Sequence, residues 1–171
     1  MIKLIKNVKV YSPDFLGTKD VLILGDKLAG IEDEIKLKVS CMEVEEIDGT
    51  GKILTPGFID SHVHILGGGG EGGFKTRTPE ITLTTLTKAG VTTVVGTLGT
   101  DGLARDTSAL LAKARGLEEE GITSYIYTGA YQVPTPTLTG DVMKDIMSID
   151  KIIGAGAVSY THLTLPTILL V

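Results

Sequence analysis

The apolar and polar positions of the chain change their pattern near residue 55. Before it, IKLIKNVKVY (2–11), DVLILGDKLAGI (20–31) and MEVEEIDGTGKIL (42–54) read as short strands punctuated by Gly and Asp. Gly25-Asp26 and Asp48-Gly49 have the composition of turns. After Thr55-Pro56-Gly57 the pattern alternates between apolar strands and amphipathic helices. FIDSHVHIL (58–66) reads as a buried strand followed by a glycine-rich loop. Thr78-Pro79-Glu80 has the form of a helix start, with Thr as cap, Pro at the first helical position and acid in the first turn. That helix is expected to stop at Gly90, where VTTVVGTLG (91–99) begins the next strand. Residues 107–120 place Leu110, Leu111, Ala114 and Leu117 on one helical face, closed by Gly121. ITSYIYTGAY (122–131), DVMKDIMSID (141–150) and KIIGAG (151–156) read as strand, helix and strand.

Strands alternating with helices predict an α/β fold with a parallel sheet. The expected organisation is a small β-sandwich-type domain over 1–55, then three to four βα units over 56–157. A closed eight-stranded barrel takes about 250 residues. The periodicity alone therefore allows either a small open sheet or part of a barrel.

Composition narrows the function classes. The chain has 171 residues, 42% hydrophobic and 22% charged, which suits a globular core. The net charge is -5, with both signs mixed along the chain, so nothing resembles the basic stripe of a nucleic-acid binder. A single cysteine, Cys41, excludes an intrachain disulfide and suits the cytoplasm. No apolar run has the length of a membrane span, and the lysine-bearing start lacks the apolar run of a signal peptide.

The strongest chemical signal is His62-Val63-His64. On a strand, residues i and i+2 point to the same side, so two imidazoles project together towards one divalent ion. A bare pair of this kind is as readily two unconnected histidines; the surrounding PGFIDSHVHILGGGG favours the metal. Asp60 is in phase with the pair, either orienting a ligand or making a structural hydrogen bond. In Gly67–Gly73 a single carboxylate, Glu71, stands in side-chain-free backbone, where it suits a substrate ammonium unless the loop is merely solvated.

PGFIDSHVH resembles the first-strand motif of the amidohydrolase superfamily, which follows an N-terminal β segment. The resemblance implies the N-terminal part of a metal-dependent (β/α)8 TIM barrel, with His62 and His64 as ligands of a zinc centre that is binuclear in the complete enzyme. It also implies a bridging residue from strand 4, two further histidines and a strand-8 aspartate; none of these can be identified in the chain. HVHILGGGGEGGFKTRTPE (62–80), GTLGTDG (96–102) and TGAYQVPTPTLTG (128–140) resemble, more narrowly, the isoaspartyl dipeptidase family. That resemblance runs through residues 1–156. It implies hydrolysis of the β-linked amide of isoaspartyl dipeptides, with Gly69, Glu71 and Thr100 contacting the dipeptide. Glu71 takes the α-ammonium. Tyr131 polarises the scissile carbonyl, and the enzyme is a homo-oligomer. Dihydroorotase or dihydropyrimidinase chemistry, and a non-catalytic protein on the same fold, are the competing readings.

The end of the chain departs from the family. VSYTHLTLPT (158–167) resembles the translation of a transposase-type sequencing adapter, and Ile168, Leu169 and Leu170 fit the sample index of such an adapter. On this reading 158–171 is a non-native tail, and His162 is no ligand. The chain as written is then expected to lack turnover.

Overall fold

The computed structural model describes residues 1–156; the adapter-like segment and His162 lie outside the described residues. The chain divides into two compact units, Met1–Pro56 and a second that begins at Gly57.

The first unit is a five-stranded sheet of β1 (Ile2–Tyr11), β2 (Phe15–Leu24), β3 (Lys27–Glu32), β4 (Val44–Asp48) and β5 (Ile53–Leu54). Strands β1, β2 and β3 form an antiparallel meander, with a turn at Gly25-Asp26. MEVEEIDGTGKIL becomes two strands, β4 and β5, and both run parallel to β1. Val8, Val10 and Val21 are the buried core of this unit. A bulge between Ile5 and Val8 puts Asn7 at φ 57°, and the buried Asp20 accepts from its backbone N–H at 3.0 Å. The same carboxylate accepts from the Ile35 N–H at 3.0 Å and pairs with Lys6 at 2.8 Å, so its burial is compensated on three sides.

The second unit holds β6 (Phe58–Val63), α1 (Leu83–Lys88), β7 (Val91–Gly96), α2 (Thr107–Glu119), β8 (Thr123–Thr128), α3 (Val142–Ser148) and β9 (Ile152–Ala155). Its four strands pair in the order β6-β7-β8-β9, all parallel, with a helix in each crossover. Strands added in sequence order, without the reversal of a doubly wound sheet, are the arrangement of a (β/α)8 barrel. On α2, Leu110, Ala114 and Leu117 are buried against Val94 and Ile126 of the sheet, while Leu111 is partly covered. Asp106 caps α2 by accepting from the Ala109 N–H at 2.7 Å.

Two expectations fail in this unit. The helix foreseen with Thr78 as its cap begins four residues later, at Leu83 with Thr82 in the cap position. Thr78 has another partner: its hydroxyl accepts from the Gly68 N–H at 2.7 Å and its own N–H donates to the Gly68 carbonyl at 2.9 Å. A threonine that pins a loop in this way cannot cap a helix. The strand foreseen over 58–66 stops at Val63, and it is exposed rather than buried up to that residue. It pairs only with β7 among the described residues, which leaves Phe58 61% and Ile59 71% accessible.

Candidate active site

Because the four strands are parallel and adjacent, the segments leaving β6, β7 and β8 emerge at one end of the sheet. That end carries His62, His64, Gly69, Glu71, Thr100 and Tyr131.

His62 is the penultimate residue of β6 and is exposed; His64 follows the strand and is half-buried. A register shift between Asp60 and Val63 interrupts the regular pairing there. The two rings stand edge to face with centroids 5.4 Å apart. Asp60 accepts from the His62 backbone N–H at 3.2 Å, so its carboxylate orders the main chain of the pair rather than a ring. His64 has a tighter seat. Its Nδ1 lies 3.4 Å from the Thr97 carbonyl, and a proton donated there leaves the Nε2 lone pair available to accept. A Cβ at Gly99 would come 3.2 Å from that Nδ1, and one at Gly68 3.4 Å from Cδ2. The ring therefore packs close to two glycines, one from each flanking loop. Thr97 and Gly99 went unnoticed in the sequence, although GTLGTDG contains both.

The loop after β6 is fixed, not freely solvated. Gly67 and Gly69 have φ of 84° and 75°, and a Cβ on either would fall within 2.4 Å of a backbone carbonyl, of Thr78 or Thr76. Besides Thr78, Arg105 holds this fold-back, donating to the carbonyls of Gly68 at 3.2 Å and Thr78 at 2.7 Å. Glu71 projects from the loop, and the Thr100 hydroxyl donates to its Oε1 at 2.8 Å. Its own backbone N–H, the Thr100 hydroxyl and, less strongly, the charge of His64 hold the Glu71 carboxyl below its ordinary range. Glu71 and Thr100 line a pocket of about 190 Å³ with Gly70, Phe74, Arg77 and Asp101. Arg77 Nε lies 2.8 Å from Asp101, an ion pair that spans the loops after β6 and β7.

Tyr131 stands on the loop after β8 and is 41% exposed. Its neighbour Gln132 packs against the loop after β7, so closely that a Cβ at Gly102 would fall 2.5 Å from Oε1. Among the described residues no three His, Cys, Asp or Glu side chains gather into a metal-holding group. The residues present supply two imidazoles, one of them oriented by a carbonyl, which fits part of a divalent-metal centre.

No protein-family model matches the chain. Its fold matches the β-aspartyl dipeptidase of Fervidobacterium islandicum AW-1, solved in complex with a β-Asp-Leu dipeptide, with a TM-score of 0.85 and 52% identity. The chain belongs to the amidohydrolase superfamily. That match covers 92% of the chain and 41% of the dipeptidase. Dihydroorotases of Streptococcus pyogenes are 33% identical over 167 residues, covering 95% of the chain and 36% of the relative. The dihydropyrimidinase of Brevibacillus agri NCHU1002, at 23% identity and a TM-score of 0.53, shares the fold alone. The chain thus spans about a third of the length of these dihydroorotases and two fifths of the dipeptidase. Among the described residues of this amidohydrolase chain, no helix is long and apolar enough to cross a membrane.

Proposed function

We propose that the protein hydrolyses the β-linked amide of isoaspartyl dipeptides. The observation that carries this reading is Glu71: a carboxylate kept charged by Thr100, in a glycine loop that leaves directly from the histidine pair. An isoaspartyl residue presents a free α-ammonium beside its scissile amide. Glu71 binds that ammonium, and the backbone of Gly69 with the Thr100 side chain bounds the same subsite. The 52% identity to a dipeptidase solved with β-Asp-Leu supports the substrate class.

His62 and His64 would hold a divalent ion, with zinc among the metals that suit imidazole ligands. When bound, such an ion polarises the amide carbonyl and lowers the pKa of water, so that hydroxide is available at neutral pH. The chain's own groups do the rest. The Thr97 carbonyl fixes the His64 tautomer, and Glu71 anchors the substrate. The Tyr131 hydroxyl donates to the scissile carbonyl oxygen, a hydrogen bond that strengthens as negative charge develops there.

Cyclic-amide hydrolysis is the second reading, favoured by the 33% identity to dihydroorotases over 95% of the chain. A cyclic amide gives Glu71 no ammonium to bind. The test is to express the protein from its full genomic reading frame with zinc, then follow aspartate release from β-aspartyl-leucine and ring opening of dihydroorotate in parallel. Aspartate release without ring opening is expected; ring opening alone would reject the dipeptidase reading.

A further inference from the structure

The fully buried residue of α3 is a carboxylate. Asp145 has no accessible surface, whereas Met143 and Met147 of the same helix are 70% and 80% exposed. Burying a charge is costly unless donors surround it. Here the Thr128 hydroxyl donates at 2.5 Å, the Leu138 N–H at 2.9 Å, the Thr139 N–H at 2.8 Å and the Thr139 hydroxyl at 2.6 Å. Thr128 is the last residue of β8, and Leu138-Thr139 lies ten residues further on. Both ends of the intervening loop are therefore tied to one point on the helix. Inside it, Thr135 Oγ1 accepts from the Ala130 N–H at 2.9 Å and donates to the Ala130 carbonyl at 3.1 Å. Tyr131 is the next residue. A loop that only had to close could do so without a buried charge. Four donors meeting on one carboxylate define where the loop starts and returns, and so where Tyr131 stands.

We propose that Asp145 is a positioning residue for Tyr131, acting through the loop between β8 and α3. The proposal rests on the reading of Tyr131 as the carbonyl-polarising group. Asparagine is the fitting probe, because an amide keeps the shape but offers one acceptor oxygen and turns an NH2 group towards the donors. In the protein from its full reading frame, Asp145→Asn should lower kcat for β-aspartyl-leucine about tenfold while KM and zinc content hold. In a Tyr131→Phe background the same substitution should cost nothing further, since the group it positions is gone. Equal losses in both backgrounds would mean a general structural effect and would overturn the proposal. Amide exchange supplies an independent reading: residues 129–139 should exchange faster in Asp145→Asn, and unchanged exchange would also overturn it. If Asp145→Asn does not fold, Thr139→Val removes a single donor and runs through the same cycle. If the unsubstituted protein leaves β-aspartyl-leucine intact, the dipeptidase reading fails, and exchange in the loop alone decides whether Asp145 holds it.

Discussion

At the scale of single residues, His64 shows how a ring proposed as a metal ligand is seated. Two glycines leave room beside its ring, and a carbonyl faces its Nδ1. In Gly99→Ala the new methyl would meet Nδ1 at 3.2 Å, so the ring must shift by a few tenths of an ångström at the nitrogen that faces Thr97. Zinc affinity should fall roughly 10–100-fold, the usual cost of losing an orienting partner, as measured by competition with a chelating dye. Unchanged affinity would mean that the seat has no role. Glu71→Gln removes the charge but keeps the bulk, so KM for β-aspartyl-leucine should rise roughly 10–100-fold, the value of a charge-assisted hydrogen bond, with zinc content unchanged. Loss of zinc in that variant would make Glu71 a ligand or a structural group instead. Tyr131→Phe should lower kcat about 10²–10³-fold, in keeping with the loss of an oxyanion donor, and leave KM nearly constant. The sequence made His62, His64 and Glu71 visible as a strand-end pair and a lone carboxylate in a glycine loop, whereas Thr100 and Tyr131 came only from the family resemblance. It hid Thr97, Gly99 and Gly102, whose importance lies in what they touch across 30 residues or more of chain.

At the scale of elements, periodicity carried α2 and strands β7, β8 and β9, because their apolar faces are buried where the pattern puts them. It failed where polar residues bond at long range. Thr78 reads as a cap, yet it is spent on Gly68, ten residues away. Asp145 carries no signal in the periodicity of 141–150, yet it collects the loop between β8 and α3. Burial alone pushes the Asp145 carboxyl up; the bonds from Thr128, Thr139 and the Leu138 N–H outweigh it and hold the carboxyl below its ordinary range. A carboxyl lowered in the folded state lends stability that is fully present above its unfolded pKa, about 3.9, and is lost as pH falls through the folded value. Asp20 in the first unit has the same sign, from the Ile35 N–H, Lys6 and the Asn7 N–H acting against burial. Melting temperature should therefore be flat near neutrality and fall below about pH 4, and Asp145→Asn should flatten part of that fall. An identical acid slope in the variant, followed by circular dichroism, would contradict this account of the buried carboxylate.

At the scale of the whole molecule, the order β6-β7-β8-β9 is what brings the parts together. Each βα unit contributes one loop to the same end of the sheet: the histidines and Glu71 from the first, Thr97 to Thr100 from the second, Tyr131 from the third. The pattern of apolar positions implied a parallel sheet but left open whether it was an open sheet or part of a barrel; the unbroken strand order favours the barrel. The substrate class rests on chemistry placed at that end, so the central claim is that these loops select a β-linkage. The most direct measurement is the ratio of kcat/KM for β-aspartyl-leucine to that for α-aspartyl-leucine, two isomers that differ only in which carboxyl forms the amide. On the proposed roles, Glu71, Tyr131 and the histidine pair would act together on the β-linked isomer, whose scissile carbonyl lies one carbon further from the ammonium, and not on the α-linked one. The account predicts a ratio of at least 10³, about 4 kcal/mol of discrimination. A ratio near one, or a preference for the α-linked isomer, would contradict it.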